Sequence, residues 1–254
     1  MTTPATEQQP VEKRQHKRGI YLLPNLFTTS ALFAGFYAVL ASIDGAFDQA
    51  VIAIFLALVL DGLDGRVARL THTQTEFGAE YDSLSDLIAF GLAPSLMMYQ
   101  WAFTGLGKLG WFVAFIYTAT TALRLARFNT VPGDDKKYFT GLPSPSAAAI
   151  LAATLWVIID SGYQGGLLVW PMALLTVLVG LLMVSNIRYY SFKEIDFKGK
   201  VPFISAVVIM LGFAVLLTKP APILFALFLT YGLSGPVMAL YRMRRRQQRK
   251  VARQ

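Results

Sequence analysis

Residues 47–70 read FDQAVIAIFLALVLDGLDGRVARL, and residues 80–103 read EYDSLSDLIAFGLAPSLMMYQWAF. A bilayer-crossing helix needs about 20 largely apolar residues, and both runs reach that length. Their apolar residues are continuous rather than alternating, which excludes the strands of a membrane barrel. Both runs lose their apolar character at the ends that the short connection joins. Asp61, Asp64, Arg66 and Arg69 close the first run, and Glu80, Asp82 and Asp86 open the second. The expected unit is a helical membrane hairpin with its charges gathered at one end.

Six further apolar runs flank this hairpin, at 21–43, 108–129, 144–162, 166–187, 202–218 and 221–242, and the two longest connections are 130–143 and 188–201. The expected fold is an all-α polytopic membrane protein with eight transmembrane helices. The 254 residues are 55% hydrophobic and 15% charged. A soluble domain carries about 25% charged residues, so both a water-soluble enzyme and a disordered chain are excluded. The organisation expected is a basic tail at 1–19, one membrane domain at 20–242 and a second basic tail at 243–254. No internal repeat is visible. The first tail is polar and the apolar run behind it is long enough to span, so a cleavable signal peptide is not expected. There are no cysteines, and the two histidines are His16 and His72. Disulfides, a thiolate nucleophile and a His- or Cys-based metal site are therefore ruled out.

Lys and Arg gather on the cytoplasmic side of membrane proteins. With the N-terminus in the cytoplasm and eight spans, 21 of the 23 Lys and Arg fall on that side, and only Lys108 and Lys219 lie outside. A missing span would scramble that split, so span count and orientation support one another. The protein is thus expected in the cytoplasmic membrane, with both termini and the polar active site facing the cytoplasm. Lys13, Arg14, Lys17 and Arg18 before the first run, and the Arg-rich run from Arg242 to Arg253 after the last, sit where they would meet anionic membrane lipids. Nucleic acid is not an expected partner, because no soluble folded face remains to bind it.

Charges inside membrane helices are costly and mark function. Asp61 and Asp64 are spaced i, i+3, and Asp82 and Asp86 i, i+4, so each pair shares a helix face. Gly65 follows Asp64, and Gly78 lies one turn before Asp82; small residues let a helix or a ligand come close. Four carboxylates brought together in a low-dielectric site cannot all stay ionised without a counter-charge. Divalent cations supply one, and oxygen-only ligands select hard ions, Mg²⁺ or Mn²⁺. Four carboxylates suit a two-metal site, which typically clamps a phosphoryl group. Helix caps at the interface and the ion pathway of a transporter are competing readings. Matched spacing on consecutive helices disfavours the first, and acids at one end rather than mid-membrane disfavour the second.

Asp61, Asp64, Gly65, Ala68, Arg69, Gly78, Asp82 and Asp86 fit without a gap the pattern D-x2-D-G-x2-A-R-x8-G-x3-D-x3-D. In this the chain resembles the CDP-alcohol phosphotransferases. The resemblance implies that Asp61, Asp64 and Asp82 bind metal, and that Asp86 is both a ligand and the general base. It implies room for the cytidine and diphosphate at Gly65, Ala68 and Gly78, and a role for Arg69 in holding the nucleotide or the acid cluster. Pro24-Asn25 is similar to a pair the family carries near the nucleotide, although Asn25 equally suits backbone freed by Pro24. A homodimer is implied as well. The chemistry is consistent: a hydroxyl attacks the phosphorus next to the lipid, a carboxylate takes its proton, and two divalent cations neutralise the diphosphate and the leaving CMP.

Three further stretches bear on the acceptor. They are Arg124-Leu125-Ala126-Arg127-Phe128-Asn129, Phe139-Thr140-Gly141-Leu142-Pro143-Ser144-Pro145 and Arg188-Tyr189-Tyr190-Ser191-Phe192-Lys193. All three resemble stretches of the membrane-integral phosphatidylserine synthases of bacteria and archaea, a branch of that family. The resemblance implies CDP-diacylglycerol as donor and L-serine as acceptor. Arg can grip a carboxylate through two parallel hydrogen bonds. The candidate acceptor residues are Arg124, Arg127, Arg188 and Lys193, with Gly141 and Pro143 shaping the loop. Positive-inside topology explains any single one of these cations equally well. The alternatives are the same chemistry on glycerol 3-phosphate or inositol phosphate, and an aspartate-rich intramembrane prenyltransferase.

Overall fold

The computed structural model describes residues 22–130, 138–163, 165–191 and 203–251. Among these, helix occupies each of the eight apolar runs. The first two helices are α1 (Leu22–Ile43) and α2 (Phe47–Thr71). A composite third segment follows, containing α3 (Glu76–Asp86) and α4 (Ala93–Met98). Then come α5 (Lys108–Thr130), α6 (Ser144–Asp160), α7 (Val169–Val184), α8 (Phe203–Thr218) and α9 (Pro220–Val251). Among the described residues, three helices are long and apolar enough to cross a membrane, at Leu23–Ile43, Lys108–Thr130 and Pro220–Arg245; α6 and α7 are apolar but shorter. Helix α9 continues past its apolar part to Val251.

Small residues set the packing of the first half. Ala31, Ala34, Ala38 and Ala41 of α1 are buried, as are Ala50, Ala53 and Ala57 of α2. Alanine seams let the two backbones come close. A Cβ added at Gly35 would lie 2.6 Å from the Cα of Ala89, so α1 also touches the third segment backbone to backbone. Both α2 and α3 pack on α1, while their own backbones barely meet. The expected hairpin of directly packed helices is thus opened by α1, and the carboxylates reach across the opening.

The third segment is not the uniform helix expected over 80–103. It begins at Glu76 because Thr75 caps it, its Oγ1 accepting from the Gly78 backbone N–H at 3.0 Å. It is π-helical at Leu87–Leu92 and again at Tyr99–Phe103. Pro94 gives one physical reason for the first irregularity. A proline has no N–H for the carbonyl four residues back, here Phe90, and its ring crowds that carbonyl. The hydroxyl of buried Tyr117 on α5 donates to the Phe90 carbonyl at 3.1 Å, and Ser95 Oγ pairs with Thr118 Oγ1 at 2.8 Å. In a membrane a freed carbonyl needs such a partner.

Two short strands lie in the long connections. β1 (Tyr138–Thr140) pairs antiparallel with β2 (Arg188–Tyr190), with Phe139 opposite Tyr189. This ribbon stands beside the C-terminal ends of α5 and α7 and the start of α6. Gly141 at its foot has φ +82, and a Cβ there would collide with the Met183 carbonyl. Only glycine fits that close approach without strain.

Candidate active site

The acidic residues come together. One carboxylate oxygen from each of Asp61, Asp64 and Asp82 lies within 4.8 Å of the other two. Oxygens on opposite sides of an octahedral Mg²⁺ stand about 4.2 Å apart. The triad therefore has the size and the donor set for a hard divalent ion. Asp86 is one turn along α3 from Asp82. It lies in side-chain hydrogen-bonding reach of Asp61 and feels the charges of Asp82 and Arg124.

The wall behind the triad is α1, which the sequence did not assign to the acid site. Thr28 Oγ1 donates to Asp64 Oδ2 at 2.8 Å, and Ser85 Oγ donates to the Thr28 carbonyl at 3.1 Å. Asp64 also accepts from the Gly65 backbone N–H and feels the Arg69 charge. Thr29 Oγ1 pairs with Tyr81 OH at 2.9 Å. Asn25, Thr28 and Thr29 recur at helical spacing on one face of α1, and that spacing was the signal available in the sequence.

The residues expected to leave space do so. A Cβ at Gly65 would meet only Arg69 Nη1, at 3.6 Å. One at Gly78 would come to 3.0 Å from Thr75 Oγ1 and 3.7 Å from Asn25 Oδ1, so Asn25 and Gly78 face one another across α1 and α3. Ala68 is half-buried on α2 and Arg69 is exposed.

The basic candidates separate into distinct environments. Arg127 is occupied: its Nη2 donates to Asn186 Oδ1 at 2.8 Å and its Nη1 to the Val184 carbonyl at 3.4 Å. It ties α5 to the chain that enters β2. Arg124 lies one turn earlier. Its Nη1 donates to buried Ser144 Oγ at 2.7 Å, while its Nε is buried with no partner among the described residues. It lies within electrostatic range of Asp86 and Asp61 and of the phenols of Tyr117 and Tyr231. Arg188 is exposed on β2, and Pro143 precedes α6 with its carbonyl accepting from the Ala147 N–H at 2.9 Å. Lys193 lies outside the described residues. Asn129, at the end of α5, donates to Ser83 Oγ at 3.0 Å and to Glu80 Oε2 at 3.4 Å, which brings α5 against α3.

The site thus has an acidic half on α1–α3 and a basic half on α5 and β2, with α6 and α7 supplying uncharged partners. Asp86 and Arg124 feel each other's charge between the two halves. Such an arrangement can hold a metal-bound diphosphate on one side and a small anion with a nucleophilic hydroxyl on the other.

Residues 21–181 match the family model described as CDP-alcohol phosphatidyltransferase. A Helicobacter pylori protein (strain ATCC 700392 / 26695) named CDP-diacylglycerol–serine O-phosphatidyltransferase is 39% identical over 218 residues, covering 84% of this chain and 90% of its own. One of the same name from Mycobacterium bovis is 33% identical over 185 residues, 70% of this chain and 64% of its own. An archaetidylserine synthase of Methanothermobacter thermautotrophicus is 36% identical over 169 residues, 66% of this chain and 69% of its own.

Proposed function

Because this chain belongs to the CDP-alcohol phosphatidyltransferase family, we propose that it is an integral membrane enzyme that transfers the phosphatidyl group of CDP-diacylglycerol to L-serine. The products are phosphatidylserine and CMP. The observation that carries this reading is the electrostatic pairing of Asp86, beside the acidic triad, with Arg124, whose guanidinium keeps a buried donor with no partner among the described residues.

Asp61, Asp64, Asp82 and Asp86 would hold two divalent cations, Mg²⁺ or Mn²⁺. Bound there, the cations neutralise the diphosphate and stabilise charge on the departing CMP. Thr28 fixes the orientation of the Asp64 carboxylate. The space over Gly65, Ala68 and Gly78, bordered by Asn25 and Arg69, takes the nucleotide. Arg124 receives the serine carboxylate, which turns the serine hydroxyl toward the α3 side. Asp86 removes the hydroxyl proton as the oxygen attacks the phosphorus. Arg127 keeps the acceptor wall in place through Asn186 rather than touching serine. Arg188, Gly141 and Pro143 complete the border of that wall, and Lys193 stays an acceptor candidate on sequence grounds.

We place the site on the cytoplasmic side of the cytoplasmic membrane, with eight spans, one membrane domain at 20–242, and both termini in the cytoplasm. The basic residue distribution supports this orientation, and the basic ends suit anionic lipid. The family resemblance supports a homodimer.

Acceptor-dependent release of CMP tests the reading. Protein in liposomes receives CDP-diacylglycerol and Mn²⁺ or Mg²⁺, with serine, glycerol 3-phosphate or inositol phosphate supplied singly. Release with serine alone, lost on chelation, is the expected result. Release only with another acceptor overturns the serine assignment and keeps the metal site.

A further inference from the structure

Helix α9 lies beyond residues 21–181 that match the family model, yet it is joined to the acceptor wall by a built connection. Pro236 sits inside α9. It has no N–H to give the carbonyl four residues back, which is Gly232. The hydroxyl of Tyr189, in the middle of β2, donates to that Gly232 carbonyl at 3.1 Å. The bond is returned from the other side: Tyr231 OH donates to the Tyr190 carbonyl at 3.1 Å. The two rings pack at 5.7 Å between centroids. Tyr189 is buried, and a Cβ on Gly235 would collide with its ring, so Gly235 is the seat the ring occupies. Burial pushes the Tyr189 phenol up to about 12, so it stays a donor across the working range of pH.

What this joint holds is the acceptor side. β2 pairs with β1, and β1 leads through Gly141 into Ser144, the partner of Arg124. Tyr231 itself lies within electrostatic range of Arg124. The same ribbon is held at its Gly141 end by Arg127 on Asn186.

We propose that Tyr189 and Tyr231 are positioning residues that latch the β1–β2 ribbon to α9, and that this latch sets the affinity for the acceptor without bearing on the nucleotide side. The proposal rests on the serine reading above. When the latch is open, the competent arrangement of Arg124 and Ser144 is less populated, and apparent acceptor affinity falls by that fraction.

The test is steady-state CMP release by the full chain in liposomes, for wild type, Tyr189→Phe, Tyr231→Phe and the double variant. Each single change keeps the ring and removes one hydroxyl. The expected result is a serine KM raised about 3- to 10-fold, the range for one lost neutral hydrogen bond, with KM for CDP-diacylglycerol and kcat within about twofold. Gly235→Ala, which unseats the ring, raises the serine KM at least as far. If wild type releases CMP with serine but all four variants keep its serine KM, the latch is overturned and the function stands. Equal losses against both substrates also overturn it, because they report general damage. If wild type shows no serine-dependent release, both readings fail.

Discussion

Thr28 and Asp64 are 36 residues apart, on the first and second helices, and the hydroxyl of one donates to the carboxylate of the other at 2.8 Å. Both residues are buried. The bond anchors the Asp64 carboxylate, one oxygen of which belongs to the cluster with Asp61 and Asp82. Outer partners of this kind typically set the orientation and affinity of metal ligands.

Thr28→Val removes that bond while keeping the shape of the side chain. The apparent affinity for Mn²⁺ should fall about 10-fold, with turnover recovered at saturating metal. A titration of CMP release against Mn²⁺ reads both quantities. Unchanged metal dependence would mean that Asp64 needs no help from α1.

Asp86→Asn keeps the size of the side chain and removes the proton acceptor. Turnover should fall by about 10²- to 10⁴-fold, the usual span for losing a general base. Asp61, Asp64 and Asp82 remain, so Mn²⁺ bound to the protein should still be seen by electron paramagnetic resonance. Near-wild-type turnover would remove Asp86 from the role of base.

Metal should also appear as stability. An ion that binds only the folded chain at 100 times its Kd adds about 2.7 kcal/mol. Mn²⁺ should therefore raise the thermal transition of wild type in detergent, and a chelator should reverse the rise. Asp64→Asn should show little of it. An equal rise in both proteins would place the ion elsewhere.

The two arginines of α5 should answer differently to the same change. Arg124→Lys replaces a two-pronged donor by a point charge and should raise the serine KM at least tenfold, or about 1.4 kcal/mol. Arg127→Lys loses its contacts to Asn186 and Val184. Its effect should appear first as a lower thermal transition. Identical behaviour of the two variants in both assays would dissolve the distinction.

Gly35→Ala drives a Cβ to 2.6 Å from the Ala89 backbone, so α1 must move off the third segment. Overpacking of this kind costs about 1–3 kcal/mol. Gly212→Ala on α8 meets nothing within 4 Å and should be neutral or gain up to about 1 kcal/mol of helix propensity. Thermal unfolding in one detergent compares them directly.

The acidic half of the site was legible because its information is local. Asp61, Asp64, Gly65, Gly78, Asp82 and Asp86 lie within one stretch of chain; periodicity pairs them within each helix, and the short connection puts both pairs at one end of the hairpin. The contribution of α1 was not legible in that way. Thr28 looks like any hydroxyl in an apolar helix, and its partner lies one helix away. The acceptor half suffered more, because Arg124 and Arg127 share a turn and a charge and differ only in what other helices bring to them. Ser144 and Asn186 come from α6 and from the end of α7. Pro94 and Pro236 were visible, but the tyrosines that complete their freed carbonyls, Tyr117 and Tyr189, come from 23 and 47 residues away in sequence. The strands β1 and β2 are three residues each, too short for any alternation to announce them.

The two π-helical stretches of the third segment carry one more consequence. Each π turn takes up about one residue beyond what an α-helix would hold. The 18 residues from Asp86 to Phe103 therefore contain about two more than a regular helix of the same length would need. One residue corresponds to about 100° of rotation. Winding the same residues as a regular α-helix would give a better hydrogen-bond ladder. For each π turn lost it would also rotate the face bearing Asp82 and Asp86 by about 100° relative to the packing of the Tyr99–Phe103 end against α5. The irregular winding acts as a phase setting, in which a less regular ladder keeps the acids aimed at their partners while the buried end stays locked.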